Sequence, residues 1–270
     1  MLNLQFIYTN YNPNAMNLDC RVKTLLILVI AILATFAYAY MPEDVSITLK
    51  RIDVSSLAPD TTAVAVDPQV EVVDTAKTID QRNHRILFFG DSMTEGLLRR
   101  FGDYAAENGH ELNVICWYSS NTDLWANTGT LKHYIKKFDP TYIVICLGGN
   151  ELFVRDLPKR EKNIAKIIET IDTIPFVWVS PPNWKPDTGI NDLIIKHVGK
   201  SRYFDSRYLE LQRGKDHVHP TFSAAAIWMD SIAVWLRGFD TEHPIRMDVP
   251  QASHKPTSVT MHAPNFKGIN

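Results

Sequence analysis

The feature that most constrains the fold is a series of short apolar runs, each followed by polar, turn-forming residues. Ile86-Leu87-Phe88-Phe89 ends at Gly90; Leu112 to Tyr118, Tyr142 to Leu147 and Phe176 to Val179 repeat the theme, with Arg202 to Asp205 as a weaker fifth. These runs are apolar at consecutive rather than alternate positions, which suits parallel strands covered on both faces. Helical stripes fall between or after them: Leu97, Phe101 and Ala105; Ile164, Ile167, Ile168 and Ile171; Ala225, Trp228, Met229, Ile232 and Trp235. Strands alternating with helices predict one α/β domain of three layers with a central parallel sheet, over residues 84–238.

The chemistry-bearing residues sit at the ends of these runs. Gly90-Asp91-Ser92-Met93 follows the first, Ser119-Ser120-Asn121-Thr122 the second and Gly148-Gly149-Asn150-Glu151 the third; Asp216-His217-Val218-His219-Pro220 precedes the last helix. Each has a plain structural reading. Ser92-Met93-Thr94-Glu95 fits a helix capping box, Gly149-Asn150 a turn, and Pro220 a helix start. Each also has a chemical one. Ser92, at a strand-to-helix junction, can be a nucleophile whose own N–H faces an oxyanion, and Asn150 can add an amide donor. His219 can take the Ser92 proton while Asp216 orients its ring, with His217 a solvated loop residue. The turns after parallel strands share the carboxyl edge of the sheet, where ligands bind in open α/β folds, so these residues are expected to meet there.

In combination these motifs resemble those of the SGNH hydrolase (GDSL esterase/lipase) superfamily, over about Arg85 to Gly238. The resemblance implies a flavodoxin-like three-layer α/β fold and acyl-ester hydrolysis or transfer with no metal and no cofactor. It makes Ser92 the nucleophile, Asn150 a side-chain oxyanion donor, His219 the base and Asp216 its partner. The second motif departs from the pattern. Where the family has a glycine N–H in the oxyanion hole, this chain reads Tyr118-Ser119-Ser120-Asn121-Thr122. The Ser120 N–H can substitute; if the position needs a positive φ, Asn121 tolerates it better.

Trp117, Tyr118, Trp125 and Trp184 crowd the same edge. They are either core and rim packing or, for Trp117, Trp125 and Trp184, a platform for a sugar ring.

Upstream, Leu25 to Met41 is almost wholly apolar, preceded by Arg21 and Lys23 and followed by Glu43 and Asp44. That asymmetry holds the leading end in the cytoplasm and sends the rest outward. Residues 1–41 read as a signal peptide, with a small-x-small site at Ala37-Tyr38-Ala39, or as an uncleaved membrane anchor; Met16 is an alternative start. Residues 42–83 read as an extracytoplasmic linker. Residues 239–270, polar and rich in proline, read as a tail draped over the domain or disordered. Three cysteines make no disulfide framework. With the first strand between the second and third, Cys116 and Cys146 stand roughly 10 Å apart, beyond bridging reach, and read as core thiols. A net charge of −2 and the lack of a basic stripe or zinc spacing exclude nucleic acid and structural metal as expected partners.

The expected function is an extracytoplasmic serine esterase, secreted, periplasmic or membrane-tethered, removing small acyl groups, acetyl foremost, from a carbohydrate or other small ester. The alternatives are an O-acyltransferase acting on an envelope polysaccharide and a non-catalytic domain that binds a glycan or a partner protein.

Overall fold

A computed structural model of the chain describes residues 77–270. The leader or anchor expected at residues 1–41 and most of the linker, 42–76, lie outside the described residues, as does Cys20. No helix among the described residues is long and apolar enough to cross a membrane.

Six strands, all parallel, form a single sheet: β1 (Arg85–Gly90), β2 (Glu111–Trp117), β3 (Tyr142–Cys146), β4 (Phe176–Val179), β5 (Tyr203–Phe204) and β6 (Ser258–His262). Their order across the sheet is β5-β4-β3-β1-β2-β6. The helices are α1 (Met93–Glu107), α2 (Thr122–Asn127), α3 (Thr130–Phe138), α4 (Leu157–Ile171), α5 (Ile190–Val198) and α6 (Phe222–Leu236). The period of two along β1 divides the core. Ile86 and Phe88 pack with Leu97 and Phe101 of α1 and Trp228 and Ile232 of α6. Leu87 and Phe89 face the other way, onto Trp125 of α2, Leu131 of α3, Ile164 of α4 and Ile194 of α5. Both faces of the sheet are therefore covered by helices, giving three layers.

Strand direction reverses its progress across the sheet between β1 and β3, so the crevice above their carboxyl ends is the topological switch point. Gly90 ends β1 there, paired with Cys116 on one side and Cys146 on the other. A Cβ at Gly90 would lie 2.0 Å from the Cys146 carbonyl oxygen, so only glycine fits. Both thiols are free and buried. Burial pushes Cys116 up to about 12 and Cys146 well above its ordinary range, which keeps them protonated and inert.

Of the two readings of residues 239–270, draped over the domain or disordered, the structure shows the first, packed closely. Ile245 and Met247 are buried in the core, and the Ile245 N–H donates to the Leu236 carbonyl. The chain then runs beside α1, where the His254 N–H donates to Asp103, and adds β6 to the free edge of β2. The physical reason lies on β2: Trp117 needs cover at that edge, and Phe266 and His262 supply it edge-on at 5.0 and 6.2 Å. The end of the expected linker belongs to the domain as well. Asp80 bridges to Ile245, and the Lys77 ammonium donates to the Phe239 and Thr241 carbonyls. The folded unit thus runs beyond 84–238 at both ends.

Candidate active site

Ser92 sits at the N-cap of α1 with φ −60° and ψ −21°, and its side chain makes no capping bond. The capping box legible in Ser92-Met93-Thr94-Glu95 is not formed. Asp91 takes the capping role instead, one carboxylate oxygen accepting from the Met93 N–H at 2.9 Å, and Glu95 accepts from the Tyr118 hydroxyl at 2.9 Å. The Ser92 hydroxyl is left free for another partner, and it has one: Oγ lies 2.7 Å from His219 Nε2.

His219 comes from the loop between β5 and α6. That loop is a tight hairpin, with an Arg213–Pro220 bridge and N–H bonds from Gly214 to His219 and from Thr221 to Gln212. Within it Asp216 does two things. One oxygen accepts from the Val218 and His219 N–H groups, each at 3.0 Å, which shapes the turn. The other lies 2.7 Å from His219 Nδ1. The neighbouring His219 ring, aided by those two N–H groups, holds the Asp216 carboxyl well below the usual carboxylate range. An ionised Asp216 at Nδ1 fixes the tautomer that leaves Nε2 as the acceptor for the serine proton. His217 is exposed, at a positive φ of 59°, as a loop residue should be. Pro220 stands outside α6: Thr221 is its N-cap, accepting from Ala224, so the proline rigidifies the hairpin rather than opening the helix.

The residues expected to donate to an oxyanion come from three loops. The Ser92 N–H, at the positive end of α1, finds no acceptor among the described residues. Asn150, in the one-turn helix Gly149–Glu151 after β3, donates through Nδ2 to the Ser120 carbonyl at 2.9 Å. That leaves its second amide hydrogen for a ligand. Ser120 itself does not offer the expected donor, because its N–H closes a turn onto the Trp117 carbonyl at 3.1 Å. Nor does Asn121 carry the positive φ. That falls on Ser119, at 60°, while Asn121 is extended at φ −149° and caps α2 by accepting from Leu124.

Two buried acids that sequence reasoning did not assign hold these loops in register. Asp91 reaches across from β1 and accepts from the Gly149 N–H at 3.2 Å. Burial pushes its carboxyl up to about 7, against the pull of the two N–H donors. Glu151 accepts from the Thr122 N–H at 2.9 Å and from the Thr122 hydroxyl at 2.8 Å, and pairs with Arg160 at 3.1 Å. Both sit inside the quoted motifs, and their signal was adjacency to Ser92 and Asn150. Arg213 carried no signal. Its guanidinium donates to the Val218 carbonyl and to those of Pro182 and Asn183, tying the hairpin to the loop after β4.

The tryptophans divide. Trp117 and Trp125 are buried in the core, edge-on to each other at 5.4 Å, and cannot form a platform. Their rings fill the space between the sheet and α2, where large apolar area is worth most. Trp125 also donates to the Ser120 hydroxyl at 2.9 Å, which fixes Ser120 as a structural residue. Trp184 alone remains at the rim, half-buried, with Phe153 edge-on at 5.3 Å.

Beside Ser92 and His219 lies a small cavity of about 90 Å³, walled by Met93, Gly96, Pro220 and Phe222. The described residues contain no cluster of side chains able to hold a metal ion. What the site does contain is a hydroxyl bonded to an imidazole, a carboxylate behind the imidazole, and a serine N–H with no acceptor among the described residues. That set can carry acyl transfer through a covalent ester. No protein-family model and no curated protein matches the chain.

Proposed function

We propose that the protein is a serine esterase of the SGNH hydrolase type, built on a flavodoxin-like sheet and acting on short acyl esters outside the cytoplasm. The observation that carries this reading is the continuous relay Ser92 Oγ–His219 Nε2–Asp216, with both links at 2.7 Å. Ser92 Oγ attacks the ester carbonyl and passes its proton to His219 Nε2. Asp216 stabilises the imidazolium, and the Ser92 N–H and the Asn150 amide face the tetrahedral oxyanion. His219 then protonates the leaving alcohol, and water attacks the acyl-serine with His219 as base. The small cavity at Ser92 supports an acetyl-sized acyl group, and the charge asymmetry around Leu25 to Met41 supports export.

The direct test is covalent. A fluorophosphonate probe should label the protein on Ser92 and on no other serine, and Asp216→Asn should slow the labelling. An unlabelled Ser92 in folded protein would overturn the reading. One observation favours transfer as a second outcome of the same intermediate: His219 is 39% exposed, so an alcohol can reach the acyl-serine as well as water can. Acetyl transfer to an added sugar in preference to water would identify that case.

A further inference from the structure

We propose that Phe222 sets the length of the acyl group this protein accepts, by walling the solvent side of the cavity beside Ser92; the inference rests on the esterase reading. Ser92 and His219 themselves line that cavity of about 90 Å³, so whatever fills it touches the reacting atoms. Its other walls are Met93, Glu95, Gly96, Pro220 and Phe222.

Size assigns the cavity to the acyl part of the ester rather than the alcohol part. At about 30 Å³ per water-sized group it takes roughly three heavy atoms, as many as an acetyl group has and far fewer than a sugar ring. Its surface agrees: Met93, Pro220 and Phe222 are apolar and Gly96 adds no side chain. Glu95 is the one ionisable wall besides His219. One of its oxygens accepts from the Tyr118 hydroxyl at 2.9 Å. A carboxylate there disfavours an acyl group that carries its own negative charge, such as succinyl, and leaves the uncharged ones.

Among these walls Phe222 is the one that the core does not hold. Met93 is buried, and a Cβ added at Gly96 would meet Ala225 Cβ of α6 at 3.1 Å, so α1 and α6 leave no spare room between them there. His219 and Pro220 belong to the braced hairpin. Phe222, the first residue of α6, is 57% exposed. Its ring is steadied from another quarter: the Arg99 guanidinium lies over it, 4.5 Å from the centroid. Arg99 stands on α1 about two turns beyond Ser92, so the nucleophile and the group that positions Phe222 ride on one helix. An aromatic wall held by a surface cation, rather than by packing, is the part of the cavity that one substitution opens without disturbing the fold.

The experiment measures kcat/KM of the full chain for p-nitrophenyl acetate, butyrate and hexanoate, together with the rate at which P-methyl and P-butyl fluorophosphonates label Ser92. It compares wild type with Phe222→Ala, Phe222→Trp, Arg99→Ala and Arg99→Lys. Phe222→Ala should raise the butyrate-to-acetate ratio about ten-fold or more, as a methylene or two is worth in a pocket, and should favour the P-butyl label likewise. Phe222→Trp keeps a ring and should keep the preference for acetate. Arg99→Ala should move the ratio part of the way, and Arg99→Lys, which keeps a cation, should restore it. Acetates of phenol, p-nitrophenol and naphthol should keep one ranking in all five proteins. Ratios unmoved in Phe222→Ala, or a ranking of alcohols that changes in place of acyl length, would overturn Phe222 as the gauge while a labelled Ser92 left the esterase standing. Where turnover is slow, the labelling ratio decides. If folded protein cleaves no ester and Ser92 takes no label, the esterase reading falls first and this inference with it.

Discussion

At the scale of single residues, the site depends on which backbone positions tolerate its geometry. Ser119 holds a left-handed φ of 60° where glycine is at ease. Ser119→Gly should therefore stabilise the fold, by about 0.5–1 kcal/mol after the entropy that glycine loses on folding. Chemical denaturation of the two proteins measures it, and a loss of stability would mean that Ser119 is not strained. The same loop shows what one residue costs in chemistry. In the proposed reaction, with the Ser120 N–H bonded to Trp117, the oxyanion would have two donors rather than three, and a missing donor is worth about 3 kcal/mol of transition-state stabilisation. Asp91 gives a prediction with a definite sign. Burial raises its carboxyl to about 7, above its unfolded value. Between about pH 4 and that value the folded chain keeps a proton the unfolded chain has released, so stability falls as pH rises through the window and is level above it. Asp91→Asn removes this component. Unfolding free energies taken near pH 4 and near pH 8 should show wild type losing up to about 4 kcal/mol relative to the variant across the window. A constant difference between the two would show that Asp91 is ionised throughout.

At the scale of elements, β1 to β5 were legible because each is apolar at consecutive positions, the mark of a strand covered twice. The stripes of α1, α4 and α6 were legible for the same reason, at helical period. The short α2, α3 and α5 were not read, since so few turns give little period to detect. Face assignment was the weaker step. Trp117 shares the face of Ile115 on β2, and the alternation with Val114 and Cys116 held that information. Crowding near a sheet edge says nothing about which way a ring points. The corrected placement is testable. Trp117→Ala and Trp125→Ala should each cost about 3–5 kcal/mol of stability, as core truncations do. Near-native stability with selectively weakened sugar binding would instead restore the platform reading. The Trp117 indole N–H has no partner among the described residues, so Trp117→Phe should be much the milder change.

At the scale of the whole molecule, the meeting of Ser92, His219 and Asp216 was legible, because the turns beyond the strands share one edge of the sheet. Ser92 follows β1, Asn150 follows β3, and these strands are neighbours. What the sequence hid was the extent of the folded unit. Pro244, Pro250, Pro256 and Pro264 made residues 239–270 read as irregular, yet Ser258-Val259-Thr260-Met261-His262 lies between two of them with the β-branched pair Val259 and Thr260. An edge strand needs only one good face, so its pattern is half as strong as that of a central strand. A chain ending at Gln251 should lose cooperative stability by several kcal/mol, with tryptophan emission shifted to the red as Trp117 meets water. Unchanged melting and emission would mean that β6 contributes nothing to the fold.

The central claim is that Ser92 is a nucleophile activated by His219 and Asp216. Its most direct test is the steady-state hydrolysis of p-nitrophenyl acetate by the full chain and by Ser92→Ala, with butyrate and octanoate esters alongside. The account predicts turnover that falls with acyl length and vanishes in Ser92→Ala while the variant stays folded. Equal rates for the two folded proteins would contradict it.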